Sequence, residues 1–170
     1  FAEHRIVFTR LVVLLSYWVT GMVNLKNLMI ISNLLWIGQL GVLYQIFKKL
    51  TFSLVYFIPF VWILLCVHSF ENIFWGTSSM HNFGLLFFVM LVAYFFTQPS
   101  PRNLYLALLF SFFATFTYGN GLLTFLIGGF VLTLSRRWRD LGATIAFFAF
   151  TMLLYVLTRA HASPSGLDLT

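Results

Sequence analysis

"NLMIISNLLWIGQLGVLYQIFKK", residues Asn27–Lys49, decides how this chain is read. Asn27–Phe47 holds no charged residue and ends on two lysines. A helix that crosses a bilayer needs roughly 20 predominantly apolar residues, so this stretch has the length and the flank of a transmembrane helix. Five more apolar runs follow, bounded by polar residues: Phe52–Val67, Phe83–Phe96, Leu104–Phe116, Leu122–Leu134 and Leu141–Leu157. Several reach spanning length only with their polar flanks. The expected fold is therefore all-α, a polytopic transmembrane bundle of about six spans, or five if the Leu104–Leu134 region is re-entrant.

Composition supports a membrane as the solvent. Hydrophobic residues make up 61% of the chain and charged residues 8%, whereas about a quarter of an ordinary soluble domain is charged. The runs are near-continuous and do not alternate, which favours helices over a β-barrel. The net charge of +6 would suggest nucleic acid in a soluble protein. Here the basic residues cluster between apolar runs, so they read as orientation signals and nucleic acid is not an expected partner. The one cysteine, Cys66, lies inside an apolar run and supports neither a disulfide framework nor a cysteine metal site.

The connectors alternate in charge. Lys48 and Lys49 follow the first run, Arg102 the third, and Arg136, Arg137 and Arg139 the fifth, while "SFENIFWGTSSMHN" and "YGNG" contain no Lys or Arg. By the positive-inside rule the basic connectors face the cytoplasm. The Glu71 loop, the Asn120 turn, the N-terminus and the tail after Arg159 then face the periplasm or lumen. The N-terminal segment breaks the rule, since Arg5, Arg10 and Lys26 would lie outside. Its apolar stretch Leu11–Val19 is too short to cross, and it reads as an interfacial helix that ends at Gly21. Three regions result: an outer loop and interfacial helix over 1–26, the bundle over 27–158, and an outer tail over 159–170.

Most of the polar chemistry falls on the outer face. Glu3, His4, Arg5 and Arg10 form one group, His68, Glu71, Asn72, Trp75 and His81 a second, Tyr118 and Asn120 a third, and Arg159 with His161 a fourth. Acids near a membrane core are functional candidates, because burying a carboxylate in hydrocarbon is costly. Structural roles compete with that reading. Glu71 could favour a helix N-terminus, Trp75 could anchor an interface, and "YGNG" could be a plain turn. His4, His68 or His81 with a carboxylate could ligate a metal, but no ligand spacing supports it, and no cofactor is implied. Phosphate-binding glycine loops, nucleophile elbows and HExxH helices are absent from the sequence.

The order "EHR" (Glu3–Arg5), a short apolar helix, and then short-looped spans with "ENIFWG" and "YGNG" on one face resembles the GT-C class of polytopic bacterial glycosyltransferases. The resemblance implies transfer of a sugar from a polyprenyl-phosphate carrier on the outer face of the inner membrane, with the Glu3 and Glu71 loops periplasmic. It also implies that Glu3 is the general base, with His4 and Arg5 beside it. Outer cations Arg5, Arg10 and Arg159 would pair with the lipid phosphate, since guanidinium binds phosphate oxygens bidentately. Glu71, Asn72, Trp75 and Asn120 would contact the sugar or the isoprenoid. The class usually has Asp where this chain has Glu3. The chain begins at Phe1 without Met and without a signal-peptide pattern, which reads as part of a longer protein. The alternative function is a non-catalytic membrane subunit packed against protein partners. A transporter is disfavoured because no charged residue lies mid-span.

Overall fold

The computed structural model describes residues 7–49, 53–65, 73–74 and 76–160. Every regular element among them is helical, as expected. The α-helices are α1 (Val7–Thr20), α2 (Leu25–Lys48), α3 (Ile58–Leu64), α4 (Gly76–Phe96), α5 (Pro101–Thr117), α6 (Leu123–Leu134) and α7 (Trp138–Ala160). Short 3-10 turns precede α3 (Leu54–Phe57) and α6 (Gly119–Leu122).

Local signals set the boundaries. Gly21 adopts φ +71° and its N–H donates to the Tyr17 carbonyl at 2.8 Å, which closes α1 with the left-handed residue that glycine accepts without a Cβ clash. Asn24 then caps α2, its side-chain oxygen accepting from the Lys26 N–H at 2.9 Å. The two signals make two helices here. Pro101 occupies the first turn of α5, where its missing N–H costs no hydrogen bond.

The hydrogen bonds fix the direction of each helix. Asn33 reaches the Ile73 carbonyl at 3.4 Å and Gln39 the Phe83 carbonyl at 2.8 Å, while Lys49 lies 4.4 Å from the Tyr94 ring centre. Partners advance together along both chains, so α2 and α4 run parallel. The α3 segment returns along α2: Phe57 meets Tyr44 and Phe47, and the Leu64 carbonyl accepts from Trp36 at 3.0 Å. Then α5 turns back on α4, with Phe110 stacked on Phe88 and Phe95 at 5.9 and 5.8 Å. The Phe8 ring of α1 packs edge-on to Phe88 at 5.0 Å and lies beside Gly84, which holds α1 against the middle of α4.

The main apolar cluster joins α4, α5 and α6 through Val92, Phe96, Leu104, Ala107, Leu108, Phe125 and Leu132. A Cβ on Gly128 would overlap the Phe96 ring, so α6 crosses α4 only because that position is glycine. Beside that cluster, several polar side chains are buried while many large apolar ones are exposed. Ser32, Gln39, Thr115, Thr117, Thr124, Thr144 and Thr151 are fully buried, whereas Trp62, Leu14, Phe130 and Leu126 are among many exposed apolar side chains.

Two helices, α2 and the Trp138–Leu157 part of α7, are long and apolar enough to cross a membrane. The apolar stretches Val7–Thr20, Leu54–Leu64, Met80–Phe96 and Gly119–Leu134 are shorter. Few residues of either helix are buried, unlike those of a core helix in a soluble domain.

Candidate functional site

The two ends of the bundle differ chemically. At one end lie Lys49, the α4–α5 turn, and the α6–α7 connector. Arg137 organises that end. Its Nη1 donates to the Phe96 and Gln98 carbonyls at 3.1 and 2.9 Å, and its Nε donates to Asp140 at 2.7 Å, with Nη2 on the same carboxylate oxygen. The carbonyls at the C-terminus of α4 have no partner within the helix, and the guanidinium supplies one. Asp140 lies in the first turn of α7, where a negative charge is favoured by the helix dipole. Arg136, at φ +54°, lets the chain turn sharply, and the Arg137 N–H closes back on Leu132 at 3.0 Å.

The "RRWRD" stretch reads from sequence as an orientation signal, and its structural clamp was missed. The signal for it was present: Arg137 and Asp140 are three apart at a helix start, the spacing at which side chains on one helix face meet.

The opposite end carries the α5–α6 turn and the C-terminal end of α7. Gly121 sits on the last turns of α5, and a Cβ there would overlap the Ala114 carbonyl group. Thr124 donates to the Gly121 carbonyl at 2.6 Å and fixes the same turn. Tyr155 of α7 packs against Phe116 at 6.2 Å, and its hydroxyl would lie 3.0 Å from a Cβ placed on Gly119. The turn that holds Asn120 and the helix end that holds Arg159 are thereby neighbours.

Of the residues singled out from sequence, Arg10 is exposed on α1 and Asn120 is exposed in the 3-10 turn. Arg159 falls in the last turn of α7, with its side chain outside the described residues. Glu3, His4, Arg5, Glu71, Asn72 and Trp75 also lie outside the described residues, as do His68 and His161. His81 is half-buried on α4. No described contact joins Arg10 to Asn120. Among the described residues no group of three or more His, Cys, Asp or Glu could hold a metal.

Sequence reasoning passed over Asn33 because it lies inside an apolar run. Its amide nitrogen meets the Ile73 carbonyl, and its buried side-chain oxygen has no hydrogen-bond partner among the described residues. Ile73 directly follows Glu71 and Asn72 in sequence, so Asn33 is the described polar side chain tied to that segment.

Comparison with protein-family models, with curated proteins and with solved structures finds no match to this chain.

Proposed function

We propose that the chain is a polytopic helical membrane protein that transfers a sugar from a polyprenyl-phosphate carrier at the outer face of a bacterial inner membrane. The observation that carries this reading is the polarity of the two ends. Lys49 and the Arg137 clamp occupy one end, and the Asn120 turn lies beside the α7 end bearing Arg159 at the other. That division favours a cytoplasmic face at the arginine connector and a substrate face at the Asn120 turn.

The membrane part of the reading draws on the distribution of side chains. Lipid removes the hydrophobic reason to bury Leu and Phe, so helix contacts in a bilayer favour small and hydroxyl residues and leave apolar ones facing outward. The buried threonines follow that rule. Thr115, Thr117, Thr144 and Thr151 each donate to the carbonyl four residues earlier, at 2.7–2.9 Å, so no hydroxyl among them needs water. With six spans, the shorter helices would cross together with their polar flanks.

In this reading Glu3 accepts the proton of the acceptor hydroxyl as the sugar's anomeric carbon leaves the lipid phosphate. Arg5, Arg10 and Arg159 stabilise the departing phosphate, while Glu71, Asn72, Trp75 and Asn120 hold the sugar or the isoprenoid. Sugar transfer from a polyprenyl-phosphate donor in membrane extracts tests it. Glu3→Gln should lower the rate by about 10²–10⁴-fold, the usual cost of losing a general base. Glu71→Gln should fold normally and lose part of the transfer. Unchanged rates in both variants would reject the enzyme reading.

A second reading, a non-catalytic subunit, has its own observation. Tyr56, Ile58, Phe60, Trp62 and Ile63 are exposed on the short 54–64 segment. An exposed aromatic patch of that kind suits a protein partner as well as lipid. Co-purification of a stable complex without transferase activity would favour it.

A further inference from the structure

A groove of about 430 Å³ runs between α6 and α7, lined by Phe125, Gly129, Phe130, Thr133, Leu141 and Ile145 among others. Its length follows from the register: Thr133 and Leu141 lie near the connector, and Phe125 meets Phe148 two turns away at 5.3 Å. Eight residues of helix separate Phe125 from Thr133, which is about 12 Å of groove. The two threonines on its wall offer little polarity, because Thr133 donates to the Gly129 carbonyl at 2.7 Å and Thr144 to the Asp140 carbonyl at 2.8 Å. Gly129 keeps the floor low, its nearest neighbour being a Leu141 methyl 3.9 Å from a Cβ placed there.

The connector that adjoins the groove carries charge. Arg136 follows Thr133 by three residues in the connector, and Trp138 precedes Leu141 by one turn; both are exposed. Asp140, the acid of that region, already shares its charge with Arg137. The arrangement is an apolar groove next to a connector in which Arg136 has no ion pair among the described residues and Trp138 is exposed. We propose that this groove holds one acyl chain of an anionic phospholipid, with the lipid phosphate on Arg136 and Trp138 at the level of the headgroups. The inference rests on the membrane part of the proposed function and is independent of the sugar-transfer part. It concerns the arginine end, opposite the proposed substrate face.

Purified chain in micelles containing equal amounts of phosphatidylglycerol and phosphatidylcholine, read by native mass spectrometry, tests the assignment. Retained lipid should favour phosphatidylglycerol by roughly fivefold, the ratio that one cation at an anionic surface supports. Arg136→Asn should bring that ratio close to one, since Asn keeps the left-handed backbone and removes the charge. Arg139→Gln should leave it unchanged, because Arg139 lies about 160° round α7 from Leu141 by helical register. Gly129→Leu should lower retention of both lipids by filling the floor. Equal retention of the two lipids by the unmodified chain, or the same loss from Arg139→Gln as from Arg136→Asn, would overturn the site and leave the membrane reading intact. A chain that stays dispersed without detergent would overturn both.

Discussion

Replacing Arg137 with Gln removes the group that ties the end of α4 and the turn after it to the start of α7. The structure allows the cost to be built up by contact. Two bonds run from Nη1 to the Phe96 and Gln98 carbonyls and a charge pair runs to Asp140, all within 3.1 Å. Hydrogen bonds from a charged donor contribute about 1.5–3 kcal/mol each when desolvated. The side chains are 19% and 32% exposed, so the ion pair is screened and is worth at most about 1 kcal/mol. The freed carbonyls can also turn towards water at a helix end, which limits their loss to the lower part of the range. The sum is roughly 3–4 kcal/mol.

For a chain of this size each kcal/mol shifts the melting temperature by about 2–4 °C, so Arg137→Gln should melt roughly 6–16 °C lower. Arg137→Lys should fall between the two, because one ammonium cannot hold two carbonyls and a carboxylate in a fixed fork. Asp140→Asn should cost only about 2–4 °C, since the guanidinium keeps its bonds to α4. Thermal scans of tryptophan fluorescence in one detergent would measure all three. An Arg137→Gln chain within about 2 °C of the unmodified one, or an Asp140→Asn chain as unstable as Arg137→Gln, would refute the clamp.

Other substitutions probe the same framework. Gly121→Ala should destabilise by about 2 kcal/mol or more, because the methyl overlaps the Ala114 carbonyl and backbone must move to make room, whereas Gly129→Ala should be neutral within about 0.5 kcal/mol; the melting temperatures of the pair give the comparison. Gln39→Leu removes the amide that donates to the Phe83 carbonyl between α2 and α4, and should cost about 1 kcal/mol by the same assay. Single cysteines at Ser135 and Asn120, in a Cys66→Ala background, should label from opposite sides of intact membrane vesicles. Labelling from one side would reject the orientation proposed for the bundle.

The helices were legible because apolar runs and their punctuation both act locally. Lys48 and Lys49 close α2, Pro101 opens α5 and Gly21 closes α1, each by a rule that involves only its neighbours in the chain. Their lengths were less legible. The run after Thr51 reads as a span, yet Ile58–Leu64 is the only α-helix described within it, preceded by one 3-10 turn. Pro59 contributes there, since proline suits a first turn and is poor anywhere later. Glycine's role as contact surface was invisible in sequence: nothing in "LIGGFVL" says that Gly128 admits the Phe96 ring while Gly129 meets only a Leu141 methyl at ordinary contact distance.

The site was legible only as a distribution of polar residues, and the described structure supplies a physical reason. Inside this bundle a hydroxyl is often satisfied by the carbonyl of its own helix, as those of Thr115, Thr117, Thr144 and Thr151 are, so its presence in sequence says little about ligands. Arg137 makes the same point for charge, since its sequence context signals orientation while its contacts are structural. Asn33 is the instructive exception. Its nitrogen crosses from α2 to the Ile73 carbonyl, and its buried oxygen has no described partner. An amide that bonds within its own helix would leave the segment after Glu71 unconstrained, whereas this one ties that segment to the middle of α2. Asn33→Leu should therefore disturb more than stability. If the Glu71 segment holds substrate, the variant should raise KM for the lipid-linked sugar while Gln39→Leu, more deeply buried on the same helix, does not. Equal effects from the two variants would mean that Asn33 only packs α2 against its neighbours.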